Sequence, residues 1–268
     1  MHFTDWFNFD KKITSQDGKE IEIWSFCYDE SQKDVMSNWA REFRNLYRLD
    51  SKLDRLRSAE KLSRKDYLLR HAFPTREKGL GPSTRSGDFS EILVSHFLQY
   101  IKKYWIPSII RYENKPVQDT STKGSDVVAI KIVDDSLCNP NDELFVVETK
   151  SKYTDGKKNK LQEAVNDSNK DPRRLGEFLD FAKNRFDLQG NEDDIQKIER
   201  FQNELDNPYK KKFGAAAFYD ENFFDEGEIS KTDCSDHAEK DKLRLLLVKG
   251  RDMMNLVHSL YERAADEA

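Results

Sequence analysis

A chain of 268 residues is long enough for one catalytic core carrying additions, and 37% hydrophobic residues arriving in distinct blocks among 35% charged ones give a folded protein with an unusually charged surface. A net charge of −5 and a pI of about 5.7 exclude a global electrostatic pull on nucleic acid, so any such contact has to come from a local patch. Three cysteines, Cys27, Cys138 and Cys234, lie far apart without CxxC spacing, which excludes both a disulfide framework and a cysteine zinc site.

In chain order, the N-terminus is aromatic and acidic rather than a signal peptide, and no apolar run approaches the roughly 18 residues of a membrane span. A soluble, cytoplasmic protein without membrane contact is expected. Trp6 to Ile13 and Glu20 to Phe26, separated by Gln16-Asp17-Gly18, predict a hairpin, because Asp-Gly between alternating runs is a strong turn signal. Val35, Trp39, Phe43, Leu46 and Leu49 recur at helical spacing, and a second helical pattern runs through Leu53, Leu56, Leu62, Leu68 and Leu69. These are core stripes without recognisable chemistry. The breakers Pro74, Gly79, Gly81 and Pro82 make 71–86 loop-like and suggest a boundary, with residues 1–80 an accessory region of hairpin and helices and 81–268 the catalytic domain.

A helix is predicted from Ser86 to Trp105, ended by Pro107. Glu91 heads its apolar stripe of Val94, Leu98, Ile101 and Trp105, and a carboxylate at the head of a buried stripe needs a metal or cation partner. A first-turn Glu favoured by the helix dipole would account for the same residue. Ile109 to Tyr112 reads as a short strand. Asp126 then opens the β-branched run Val127 to Val133, a polar loop reverses the chain, and Leu144 to Val147 leads into Glu148-Thr149-Lys150. The pair is antiparallel with Asp126 and Glu148 at one end, and strand alternation puts Glu148 and Lys150 on one face. Helical pattern from Leu161 to Leu205 is interrupted at Asp171-Pro172 and Gln189-Gly190. Phe213 to Tyr219 is a strand of small residues, Asp220 to Lys240 an acidic exposed insertion, Leu243 to Val248 a strand, and Asp252 to Ala265 an amphipathic helix.

Asp126 and Glu148 supply hard oxygen ligands suited to Mg²⁺ or Mn²⁺, with the carbonyl of Thr149 as a third, and Lys150 stands where it could act on a water or on a phosphate. A lysine run, Lys150, Lys152, Lys157, Lys158 and Lys160, follows at once and is either a solvated loop or a local nucleic-acid patch.

These residues resemble the PD-(D/E)xK nuclease superfamily, over roughly Arg85 to Tyr219, with Ser125 where the motif's name has Pro. The resemblance implies an α/β restriction-endonuclease-like core, a central mixed sheet flanked by helices, here with an N-terminal α+β extension. It implies a core order of helix, three strands, helix, strand and a metal-dependent endonuclease whose catalytic residues are Glu91, Asp126, Glu148 and Lys150; Arg85, Lys123, Lys152 and Lys160, basic residues around these motifs, are the candidate nucleic-acid contacts. More narrowly, Gly87-Asp88-Phe89-Ser90-Glu91, Lys123-Gly124-Ser125-Asp126 and Glu148-Thr149-Lys150 look like the nuclease subunits of the Hachiman anti-phage defence system. That resemblance implies a DNA-cleaving effector paired with a helicase subunit. The competing readings are a stand-alone restriction or repair endonuclease, for which no sequence-reading module is visible, and an inert nuclease-fold interaction module.

Overall fold

The computed structural model of the chain describes residues 1–77, 79–115, 117–120, 125–135, 138–156 and 158–268. It is an α/β protein built on a six-stranded mixed sheet. The N-terminal hairpin forms as expected: β1 (Phe7–Thr14) and β2 (Glu20–Phe26) pair antiparallel, and Gly18, at φ +86°, takes the left-handed turn position that a side chain would strain. The helix α1 (Lys33–Tyr47) buries Met36, Trp39, Phe43 and Tyr47. The second helical pattern is two helices rather than one, α2 (Asp50–Arg57) and α3 (Arg64–His71). Between them Lys61 turns into the left-handed region, and Ser63 caps α3 by accepting from the Asp66 N–H.

The next helix, α4 (Gly81–His96), starts five residues before the predicted Ser86 because Pro82 lies in its first turn, where a missing N–H costs nothing. It also ends sooner than predicted. The segment Phe97–Ile101 relaxes into a π-turn and Lys103, at φ +62°, leads the chain out, so Trp105 is not helical. The strand predicted at Ile109 to Tyr112 is likewise absent: Pro107–Asn114 is a 3₁₀ helix. Trp105 instead exchanges both backbone hydrogen bonds with Ile130 at 2.7 and 2.8 Å, and the Ser108 hydroxyl accepts from the Val128 N–H at 3.0 Å. The edge of β3 (Val127–Lys131) is thus met at two points, with Pro107, which has no N–H to give, between them.

β3 pairs antiparallel with β4 (Glu143–Lys152), in a register that sets Val127 opposite Val147. The chain then forms α5 (Lys160–Ser168), α6 (Asp171–Gln189) and α7 (Glu192–Glu199), with breaks at the two predicted interruptions; Gly190 closes α6 at φ +68°. β5 (Lys210–Asp220), a short helix α8 (Glu226–Ile229), β6 (Leu243–Gly250) and α9 (Met253–Asp266) complete the fold. The segment between β5 and β6 is not merely an exposed insertion. Ile229, Thr232, Cys234 and His237 are buried, and His237 bonds Ser168 at 2.9 Å, fastening it to α5.

The strand order is β1-β2-β6-β5-β4-β3, so the N-terminal hairpin joins the same sheet through parallel β2–β6 pairing. One face packs under α1, α4 and α9 through Phe43, Phe89, Leu93, Leu256 and Tyr261, with Ala129, Val147, Ala216 and Phe218 from the strands. The other packs under α5, α6 and α7 through Leu161, Val165, Leu179 and Ile198, with Val128, Val146, Ala215 and Ala217. Both faces are covered, which is why the inner strands read as unbroken apolar runs. Among the described residues no helix is long and apolar enough to cross a membrane.

Candidate active site

The strand pair delivers the site. Asp126 immediately precedes β3, and Glu148 follows the Val147 that faces Val127, so the two residues lie across from each other at one end of the pair. The Thr149 N–H donates to Asp126 Oδ2 at 2.8 Å, which ties the Asp126 side chain to the backbone of β4. Alternation puts Glu148, Lys150 and Lys152 on the face shared with Val146, toward α5 and α6. Lys150 Nζ bridges Glu148 Oε1 and Asp167 Oδ2, each at 2.8 Å.

Glu148 is buried, and its second oxygen, Oε2, has no hydrogen-bond partner. Burial pushes its carboxyl above the usual carboxylate range, against the opposing pull of the Lys150 ammonium, and the neighbouring charges of Asp167 and Glu91 push the same way as burial. Burial alone would lower the Lys150 pKa, but the attraction of Glu148 and the hydrogen bonds that Lys150 donates to Asp167 and Glu148 outweigh it and hold Lys150 above its ordinary value. Lys150 is therefore a fixed cation at neutral pH, unsuited to taking a proton from water.

Glu91 is buried on α4, with the Tyr112 hydroxyl donating to its Oε2 at 2.7 Å. Its charge acts on Glu148. Sequence reasoning missed three partners. Tyr112 was concealed in a segment read as a strand, Asp167 lies on the helical face of Lys160 and Glu163 with no motif to mark it, and Asp171 registered only as a helix break.

Asp171 opens α6, is fully buried, and accepts from the Ser125 hydroxyl at 2.8 Å, anchoring the residue before Asp126. Burial raises its pKa to about 7, the Ser125 bond partly opposing this and the charge of Glu148 adding to it. The folded protein thus holds a proton that the unfolded chain releases near pH 4, so this group's contribution to stability declines as pH rises from about 4 to 7. Asp171→Asn is expected to flatten that decline, measured as the denaturation midpoint across this pH range; an unchanged slope would contradict the assignment.

The remaining predicted contacts separate. Lys152, whose Nζ lies 5.8 Å from the centre of the Tyr219 ring, lines a cleft of about 410 Å³ with Asp155, Lys158 and Lys160, formed by the chain that follows Lys150. Lys160 pairs with Glu163 at 2.6 Å. Arg85 is buried, donating to the Pro74 carbonyl at 2.6 Å and lying over the Tyr261 ring, so it presents no guanidinium to that cleft. Lys123, with the Lys123-Gly124 part of its motif, and Lys157 lie outside the described residues.

Among the described residues no three His, Cys, Asp or Glu side chains are grouped closely enough to hold a metal ion unaided. The donors that are present still fit a hard divalent cation: two carboxylates at one strand end, one of them with a buried oxygen lacking any hydrogen bond, and a main-chain carbonyl between Glu148 and Lys150. An oxygen of that kind is costly unless a cation satisfies it.

No curated protein and no solved structure matches the chain. The HamA family model matches residues 1–264, nearly its whole length. With a sheet and strand-end carboxylates consistent with a nuclease-like core, that match makes the chain a member of the HamA family, the protein of the Hachiman anti-phage defence system.

Proposed function

We propose that this HamA-family chain is the DNA-cleaving effector of its defence system, a metal-dependent nuclease that works with a helicase subunit. The observation that carries the reading is the strand-end constellation: Asp126 beside Glu148, whose Oε2 is buried without a partner, and Lys150 held as a cation on the same face. Asp126, Glu148 and the Thr149 carbonyl would hold Mg²⁺ or Mn²⁺, which when bound polarises a phosphate and lowers the pKa of a water.

Everything else falls to the chain's own residues. Lys150 would set a positive charge against the phosphate oxygens on which charge develops, and Asp167 at 2.8 Å would keep that ammonium in place were Glu148 engaged by the ion. Glu91, hydrogen-bonded by Tyr112, supports the negative potential that draws the cation in. Lys152, Lys158 and Lys160 hold the substrate backbone along the adjoining cleft, a local patch on an acidic protein. Three lysines give little intrinsic hold on DNA, so a partner that brings the substrate, docked in part on residues 1–80, completes the reading.

The test is cleavage of linear and supercoiled DNA with Mg²⁺ or Mn²⁺, with chelator, and by Lys150→Ala. Cleavage should need the ion. Lys150→Ala should keep most of the Mn²⁺ affinity seen by calorimetry while losing on the order of 10²-fold or more in rate. Unchanged cleavage by this variant, or cleavage in excess chelator, would overturn the proposal.

A further inference from the structure

A second cavity, of about 580 Å³, opens at the opposite end of the sheet, where β2, β5 and β6 begin. Its floor is apolar and partly aromatic: Phe97 and Leu98 from the π-turn after α4, Phe145 from β4, and Leu246 from β6. Gly214 deepens that floor. A Cβ there would come within 2.8 Å of the Phe145 ring and 2.9 Å of Val147, so only glycine lets the ring lie across β5.

The mouth is cationic. Lys102 and Lys212 are neutralised, by Glu22 at 3.0 Å and Glu143 at 2.7 Å. Lys19 and Arg244 are not: both reach the same Leu243 carbonyl oxygen, at 3.4 and 3.0 Å, and among the described residues neither forms an ion pair with a carboxylate. Two cations converging on one carbonyl repel each other and are left with unused donors. Arg244 also donates to the Asp241 carbonyl at 3.2 Å, but carbonyls leave the two positive charges unbalanced, and an anion placed between them would balance both.

We infer that this cavity is a nucleotide site, taking the planar base against Phe145 and Leu246, above the buried Phe97, and the phosphates between Lys19 and Arg244. A bare phosphate would leave the apolar floor unused, and an apolar ligand would leave the two cations unpaired; a phosphorylated base satisfies both. The volume is that of an ordinary small-molecule site. The carboxylates of the candidate active site play no part in it, although α4 carries both Glu91 and, one turn on, Val94 of this cavity's wall.

Calorimetry and thermal unfolding of the full chain, in chelator so that no divalent ion contributes, would use ATP and GTP as probes, with adenosine and tripolyphosphate as the separated halves. The nucleotides should raise the melting temperature with concentration, and each half should bind on the order of tenfold or more weakly. Lys19→Glu with Arg244→Glu should weaken nucleotide binding by at least a similar factor, whereas Lys152→Glu, in the separate cleft with Lys158 and Lys160, should leave it unchanged. Should the charge reversal unfold the protein, Lys19→Ser with Arg244→Ser provides the same comparison. Absence of any nucleotide effect at millimolar concentration, loss of binding in Lys152→Glu, or full binding by the Lys19 and Arg244 variants would each overturn the inference; the first is also what a site for an acidic segment of a protein partner would give.

Discussion

Asp126→Ala and Glu148→Ala are each expected to lower DNA cleavage by roughly 10³-fold or more, and Glu148→Ala is expected to do so without loss of stability. Glu148 carries a desolvated charge with one oxygen unbonded, so folding bears a cost for it that alanine removes. The variant does not orphan Lys150, which keeps Asp167 at 2.8 Å. Inactivity at an equal or higher melting temperature is the signature of a residue retained for chemistry against the interest of the fold. Cleavage assays and thermal unfolding on the same preparation check it: a variant that is both inactive and strongly destabilised would make Glu148 a structural residue, and a fully active one would remove it from the site.

Lys115→Ala should do the reverse, costing about 3–5 kcal/mol of stability. Lys115 and Asp88 are both buried, 2.5 Å apart, and Tyr47 also donates to Asp88 at 2.9 Å while sharing a 2.6 Å hydroxyl contact with Tyr261. Burial raises the Asp88 pKa to about 6 even with the Lys115 ammonium opposing it, so deleting the ammonium leaves a buried carboxyl supported only by the Tyr47 hydroxyl. A fall in melting temperature on the order of 10 °C is expected, with much of it recovered by Asp88→Asn in combination with Lys115→Met. A drop of only a degree or two would show that the pair contributes little. This network joins α1, α4 and α9, and the Tyr47 ring packs 5.5 Å from that of Tyr112, which donates to Glu91.

What the sequence made legible was local in origin. Alternation and β-branching located β3 and β4, and because one run opens with Asp and the next closes on Glu-Thr-Lys, the meeting of Asp126 with Glu148 could be read before any coordinates. Asp17-Gly18, Asp171-Pro172 and Gln189-Gly190 were equally plain, since each fixes backbone geometry by its own chemistry. Failures came where tertiary contacts set the outcome. Ile109 to Tyr112 has strand composition, yet Trp105 and Ser108 already occupy the edge of β3. Gly81-Pro82 has the composition of a breaker, yet opens a helix. The partnership of Lys150 with Asp167, of Asp171 with Ser125 and of Arg85 with Tyr261 joins residues 17, 46 and 176 positions apart, and no spacing rule reaches that far. Arg85 in particular shows how a basic residue beside a motif can belong to the core.

The most direct test of the central claim, that cleavage at the Asp126 and Glu148 site is how this protein acts in defence, is phage plating. Three strains are compared: cells carrying the intact subunit with its system partner, cells carrying the Glu148→Ala subunit with that partner, and cells carrying this subunit alone. Protection should appear only in the first. Equal protection by the Glu148→Ala pair would contradict the account by showing that cleavage is not the effector, and equal protection by the lone subunit would remove the required partner.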